Sequence, residues 1–245
     1  MSNQDKVYVI TGGSSGLGKA MAVELVKRGA NVVINGRREQ ALADAAKDID
    51  PTGKQVHIVA GDVMESNVAQ RLVDEALAKF GRIDTLINNA GIFIAKPFTE
   101  YTEEEFTRYM GTNVVGFFHL TQRALVQMLK QGAGHVINIT TSLTDSPSEQ
   151  VPSALANLTK GGVNSTTKAL AIEYAKRGIR VNAISPGVIK TPMHAPETFE
   201  FLSKLHPMGR MGEQQEIVDA VLYLDSAKFV TGEILHVDGG QSAGH

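Results

Sequence analysis

The chain has 245 residues, of which 42% are hydrophobic and 20% charged, enough for one large α/β domain or two small ones. Its formal net charge of −2 argues for no nucleic-acid or membrane-surface partner. With no cysteine, disulfides, thiolate nucleophiles and zinc–thiolate sites are excluded.

The opening M-S-N-Q-D-K runs straight into strand-like V-Y-V-I, with no basic segment followed by an apolar one, so no signal peptide is expected. No stretch is apolar for long enough to span a bilayer, and the expected setting is the cytoplasm. Val7 to Thr11 reads as the first strand. A helical pattern with Ala20, Val23 and Leu25 among its apolar positions follows from Gly16 to Arg28 and stops at Gly29. Val32 to Ile34 is the second strand, followed by an Ala-rich helix from Glu39 to Ile49 that Pro51 and Gly53 break. Val56 to Ala60, Ile83 to Asn88, His135 to Ile139, Ile179 to Ile184 and Ile234 to Val237 read as further strands. Helices are expected over 66–80, 102–110, 113–130, 152–176 and 213–224. The acidic run Glu103 to Glu105 fits a helix start, where negative charge is favoured.

Alternating strands and helices argue for an α/β fold, a doubly wound parallel seven-stranded sheet covered on both faces. No linker, repeat or low-complexity run divides the chain, so residues 1–245 read as a single dinucleotide-binding domain. The widest irregular region lies at about 186–212. It carries Met193, Phe199, Phe201, Leu202, Leu205 and Met208, which fit an apolar substrate lid or, equally, ordinary packing or a subunit interface.

Between the first strand and its helix lies T-G-G-S-S-G-L-G, Thr11 to Gly18. Glycines there allow a tight turn and a close approach of pyrophosphate to the helix N-terminus. The candidate contacts are Gly12, Ser14, Ser15, Gly16, Leu17 and Gly18. The second strand ends N-G-R-R, so no carboxylate occupies the slot that would bind adenosine ribose hydroxyls. Gly36 stands there, followed by Arg37 and Arg38. Two guanidinium groups suit the 2′-phosphate of NADP(H), and arginines at a helix start oppose its dipole, which favours a ligand role over a solvated one.

Thr11, Gly12, Gly16 and Gly18, with N-N-A-G at Asn88 to Gly91, resemble the short-chain dehydrogenase/reductase family, of 3-oxoacyl-ACP-reductase type. The resemblance continues through G-D-V (Gly61 to Val63), Asn113, S-P-G-V-I-K-T (Ser185 to Thr191) and V-D-G-G (Val237 to Gly240), and covers essentially the whole chain. It implies a Rossmann fold, usually in a homotetramer, and hydride transfer between a nicotinamide cofactor and a small-molecule carbonyl or alcohol. It further implies that Asp62 and Val63 meet the adenine and that Asn89, Ala90 and Gly91 line the floor under the adenosine ribose. Pro186, Gly187, Ile189 and Thr191 match the nicotinamide and pyrophosphate contacts.

The family's chemistry uses a tyrosine as proton donor and a lysine four positions later, a spacing that sets both on one helix face. The lysine also holds the nicotinamide ribose. A serine binds the carbonyl and an asparagine anchors a water. Lys160 fits the lysine slot, and Asn113 the asparagine slot or a helix cap. The tyrosine slot holds Ala156. Counting back from Ala156 by the family's spacing lands on Leu143, which has no hydroxyl, with Ser142 the nearest serine one position upstream. Counting forward from the fifth strand gives Thr141, so the loop at 143–152 carries an extra residue or two. That shifted register favours a natural variant over an engineered tyrosine-to-alanine change. Losing a positioned general acid costs about 10²–10⁴-fold in rate. Candidate replacements are Ser153, Thr159, Tyr109, His194 and, as first choice, Lys160 acting through a water. Tyr109 and His194 read more readily as packed or exposed side chains. The other histidines show no metal-ligand spacing.

The sequence therefore reads as an NADP(H)-dependent oxidoreductase acting on a small carbonyl, alcohol, imine or activated double bond. The alternative is a catalytically silent NADP(H)-binding sensor or assembly protein.

Overall fold

A computed structural model describes residues 3–244. Seven strands form one parallel sheet in the order β3-β2-β1-β4-β5-β6-β7. They are β1 (Val7–Ile10), β2 (Asn31–Gly36), β3 (Val56–Ala60), β4 (Thr85–Asn88), β5 (Gly134–Ile139), β6 (Ile179–Pro186) and β7 (Ile234–Val237). The α-helices are α1 (Gly16–Lys27), α2 (Glu39–Ile49), α3 (Ser66–Phe80), α4 (Glu103–Tyr109), α5 (Gly116–Gln131), α6 (Ala154–Tyr174), α7 (Phe199–Ser203) and α8 (Gln214–Ser226).

The four residues of β1 are all buried, as are those of β4, because helices cover both faces of a parallel sheet. Alternate side chains divide between two cores. Tyr8, Ile10, Ile34, Ile137 and Ile184 pack on Met21 and Leu25 of α1 and Ile217, Val221 and Leu224 of α8. Val9, Val33, Leu86, Val136 and Val181 pack on Leu72 of α3 and Leu120, Ala124 and Met128 of α5. Strand order reverses between β1, which pairs with β2 on one side, and β4 on the other. In such sheets the crevice beyond the strand ends at this point receives the ligand. The glycine-rich turn after β1 and the N-N-A-G segment after β4 meet there.

Glycines stop two helices as expected, with φ of 77° at Gly81 after α3 and 71° at Gly132 after α5. Thr102 caps α4 through a reciprocal capping box with Glu105. The sequence reading differs at several boundaries, three of which bear on the site or its sheet. β2 runs longer than Val32 to Ile34. β4 begins at Thr85 rather than Ile83. The helices expected at 102–110 and 113–130 are joined by a π-helical turn over Met110–Val115. Residues 187–212 contain only short helical pieces. Met193, Phe201 and Met208 are exposed there, while Phe199, Leu202 and Leu205 are partly buried. No helix among the described residues is long and apolar enough to cross a membrane.

Candidate active site

The turn after β1 is built by close approach. A Cβ at Gly18 would lie 2.2 Å from the Gly12 carbonyl oxygen, and one at Gly13 would lie 2.6 Å from Ile34 Cβ. Gly12 has φ of +68°, and a Cβ there would stand 2.9 Å from the Asn89 side-chain nitrogen. Only glycines fit, so α1 starts tight against the strand with its N-terminus open to the crevice. Ser15 precedes α1 in extended conformation and its side chain makes no cap bond, leaving the first amides of the helix for an anion. Thr191 packs over Gly16, where a Cβ would sit 3.7 Å from its own.

Thr11 was not among the site residues assigned from sequence, yet it joins the two halves of the floor. Its hydroxyl accepts the amides of Asn89 at 3.0 Å and Ala90 at 2.9 Å, and its carbonyl accepts the Asn89 side chain at 2.8 Å. Asn88 points the other way into the protein. It donates to Thr121 and to Asn138, which donates in turn to Thr167 of α6, a buried polar chain that fixes β4 against β5. Two asparagines inside otherwise apolar strands, Asn88 and Asn138, were its only sequence signal.

At the edge of the crevice, a Cβ on Gly36 would stand 3.3 Å from Ser14 Oγ and 3.4 Å from a Leu42 methyl. Arg37 and Arg38 are exposed beside it, and neither side chain makes an ion pair or hydrogen bond to a described residue. Asp62 turns one carboxylate oxygen onto the Met64 amide at 3.1 Å, and Val63 is buried next to Gly116. These features fit a dinucleotide: an open helix N-terminus, a side-chain-free floor and two free guanidiniums at one end.

Lys160, on α6, reaches back along its helix, and its ammonium donates to the Ile139 carbonyl at 2.8 Å. Burial lowers its pKa to about 8. Gly91 lies against the same group, since a Cβ there would be 3.0 Å from Lys160 Nζ and 3.3 Å from Asn113 Oδ1. Residues separated widely in sequence thus meet at one point, and one cavity is lined by Thr11, Ala90, Asn113, Ile139 and Lys160.

Asn113 does not cap a helix. It lies inside the π-helical turn, where the helix continues on both sides. Its side chain accepts the Ile92 amide at 2.9 Å, and its amide nitrogen lies 3.2 Å from both the Ile92 carbonyl and Thr159 Oγ1. The wider turn aims this residue inward at the loop after N-N-A-G.

Ala156 is 2% exposed and packs in a cluster with Tyr109 and Leu155, flanked by Ile92, Phe93, Ile94 and Tyr101. The hydroxyls around it divide into engaged and free. Thr159 donates back to the Leu155 carbonyl at 2.9 Å. Tyr109 is fully buried, is bonded to the amide and carbonyl of Ile94, and has its pKa pushed up to about 12, chiefly by burial. Neither is a ready proton donor. Ser142 is buried and gives its proton to Gln241 at 2.9 Å, so it offers no free donor to a substrate. Thr141 opens the same turn. Its hydroxyl oxygen accepts the Leu143 amide at 3.3 Å, while its proton has no acceptor among the described residues. Ser153, just before α6, is 5% exposed and its hydroxyl makes no hydrogen bond to any described residue. His194 is partly buried, and burial lowers its pKa.

The fold and this convergence define a nucleotide-cleft oxidoreductase of the reductase type. The family description that matches residues 12–242 is that of enoyl-(acyl carrier protein) reductases. The chain is 37% identical to an uncharacterized oxidoreductase of Thermotoga maritima, over 99% of this chain and all of that one. It superposes on a short-chain type dehydrogenase/reductase from Mycobacterium marinum with a TM-score of 0.93 and 31% identity, over 99% of this chain and 98% of that one. It superposes equally on a 3-ketoacyl-(acyl-carrier-protein) reductase from Brucella melitensis complexed with NADH, with a TM-score of 0.90 and 36% identity, over 98% and 99% of the two chains. The chain belongs to the short-chain dehydrogenase/reductase family.

Proposed function

We propose that this protein is an NADP(H)-dependent oxidoreductase that reduces a small carbonyl, imine or conjugated double bond, or runs the reverse oxidation, without an active-site phenol. The observation that carries the proposal is the meeting of Gly91, Asn113 and Lys160 at one point, with Ala156 one helical turn before the lysine. A nicotinamide dinucleotide bound in the crevice supplies or accepts the hydride. Arg37, with Arg38, takes the 2′-phosphate, because both guanidiniums are free and Gly36 leaves no carboxylate to repel it. Ser14, Ser15, Gly16, Leu17, Ile189 and Thr191 hold the pyrophosphate and nicotinamide end around the start of α1.

Reduction adds a hydride to the substrate carbon and a proton to the heteroatom of a carbonyl or imine, or, through the enol, to the α-carbon of a conjugated enone; an iminium takes up the hydride alone. The Thr141 hydroxyl donates to that heteroatom, in the role that sequence spacing had shared between Ser142 and Thr141. The Lys160 ammonium holds the ribose and delivers the proton through a water in the cavity it shares with Asn113, since packing around Ala156 closes the space a phenol would fill, then regains one from solvent. An iminium or an enone needs less acid assistance than a simple ketone, so such substrates suit the site. Exposed Phe118 and Val126 on α5 and Leu158 and Ile172 on α6 support assembly into a homotetramer. The lack of cysteine is compatible with a reducing, cytoplasmic setting.

The experiment is NADPH oxidation with cyclohex-2-enone, a cyclic iminium and acetophenone. Turnover of the first two well above the third is expected, and the reverse order overturns the reading. The second reading, a silent NADP(H)-binding protein, is favoured by the engaged hydroxyls of Thr159 and Tyr109. Tight NADPH binding without oxidation across a broad panel would support it.

A further inference from the structure

His206 is a buried imidazole that the proposed chemistry does not use. It is 4% exposed and lies between α7 and α8. Its Nε2 accepts the Val188 amide at 2.9 Å, which puts the ring proton of the neutral form on Nδ1. Nδ1 is buried and makes no hydrogen bond to a described residue, although the carbonyls of Leu202 and Ser203, at the end of α7, lie close enough to act on the ring. The ring is wedged between two glycines. A Cβ on Gly187 would lie 2.7 Å from Nε2, and one on Gly239 would lie 3.3 Å from the His206 Cβ.

The turn it touches is tied down elsewhere mainly by backbone. The Gly187 amide donates to Val237 at 3.1 Å, and the Val188 carbonyl and the Lys190 amide bond to Gly212, each at 2.9 Å, while the Gln214 side chain donates to the Lys190 carbonyl at 3.1 Å. Among the described residues the Val188 amide is the one backbone group of that turn held by a titratable side chain. This is the turn read above as receiving the nicotinamide end of the cofactor.

We infer that His206 is a positioning residue that holds the Gly187–Thr191 turn in its cofactor-receiving shape through the Val188 amide and links that turn to the end of α7. The inference rests on the cofactor reading above. It requires the imidazole to be neutral, because a protonated Nε2 carries a hydrogen and repels the Val188 N–H. Burial lowers the ring's pKa and favours that neutral state. The Leu202 and Ser203 carbonyls and the Asp238 carboxylate oppose this, and Arg210 reinforces it. Asp238 is held by the Gly240 and Ser242 amides, and Arg210 by Glu216, so both charges stand fixed around the ring. Cofactor binding should therefore weaken in acid for a reason separate from the cofactor's own phosphates.

Calorimetric titration of NADP⁺ into wild type, His206→Gln and His206→Leu, between about pH 8 and about pH 5.5, separates the causes. The glutamine Oε1 accepts the same amide at every pH. It should match wild type at the upper pH and hold its affinity in acid, where wild type weakens progressively, toward about tenfold once the ring is fully protonated, the worth of one such bond. The leucine variant should bind about tenfold more weakly throughout. Hydrogen exchange of the Val188 amide, which needs no cofactor, should quicken in acid for wild type, stay slow for glutamine and be fast for leucine. Parallel pH profiles for wild type and glutamine, or a protected Val188 amide in the leucine variant, would overturn the role of His206. Failure of all three proteins to bind NADP⁺ would overturn the cofactor reading instead, and the exchange rates would still decide the pin.

Discussion

Tyr109 and Ala156 share one buried apolar cluster, and the Tyr109 hydroxyl is bonded to Ile94 at both its amide and its carbonyl. The nearest phenol to the vacated position is thus held by the loop after N-N-A-G. It shapes the wall of the site, and its raised pKa keeps it un-ionised.

Restoring a phenol by Ala156→Tyr places a large ring where the structure leaves 2% exposure. Overpacking of this kind costs about 1–3 kcal/mol. Urea denaturation should show that loss, and it should shrink when Tyr109→Ala opens the neighbouring space. Strict additivity of the two changes would show that the side chains do not compete.

Lys160 titrates near 8, below the usual range for an ammonium, because it is buried. As a general acid it must be protonated to act. Reduction of cyclohex-2-enone should therefore be flat below that pH and fall above it, and Lys160→Met should abolish the step. A rate that rises through the same range would exclude the ammonium as donor.

Thr141→Ala should lower turnover by about 10-fold or more while leaving NADP⁺ affinity unchanged, since it removes a donor to the substrate heteroatom. Ser142→Ala breaks the bond to Gln241 and should act on thermal stability instead. If the two variants exchange these signatures, the serine slot belongs to Ser142 after all.

Arg37→Ala should weaken NADPH binding by about 10–100-fold and leave NADH nearly untouched, the scale of a charge-assisted hydrogen bond. Fluorescence titration with both cofactors measures it, and an equal loss for both would remove the selectivity argument.

The fold was legible because strands and helices announce themselves locally, in four-to-eight-residue apolar runs and in glycines at helix ends. The phosphate turn, Lys160 and Asn113 were legible for the same reason, as short motifs set beside those elements. What sequence hid is what depends on partners far away along the chain. Ser142 looked available because Gln241, its acceptor, comes 99 residues later. Asn113 looked like a helix start because nothing local reveals a π-helical turn. His206 showed only that it has no metal-ligand spacing, because its partner is a backbone amide on another loop. Thr11 stood in the quoted motif, but its bonds to Asn89 and Ala90 needed β1 and β4 side by side.

At the far end of the sheet, His135 is buried beside Asp225 and Arg180, and burial brings its pKa down to about 4. In the unfolded chain it titrates near 6.5, so the unfolded state binds more protons between these values. Stability should fall as pH drops from about 6.5 through 4. Burial pushes Asp225 up, but His135 and Lys6 together hold it below the usual carboxylate range, so it adds to the same acid loss at lower pH. His135→Gln should flatten the urea midpoint between neutral pH and about pH 5. A midpoint that still falls as steeply would assign the loss to other groups.

The π-helical turn at Met110–Val115 holds one residue more than a regular helix would need over the same rise. Removing a single residue there would let α4 run into α5 without interruption, a gain for the local backbone. Leu120 and Ala124 would still face the sheet, because the extra residue is absorbed within the turn itself. Asn113 would lose the widened backbone that aims it at Ile92, and that loop would lose the side chain that holds it. The second core could do without the extra residue; the active site could not.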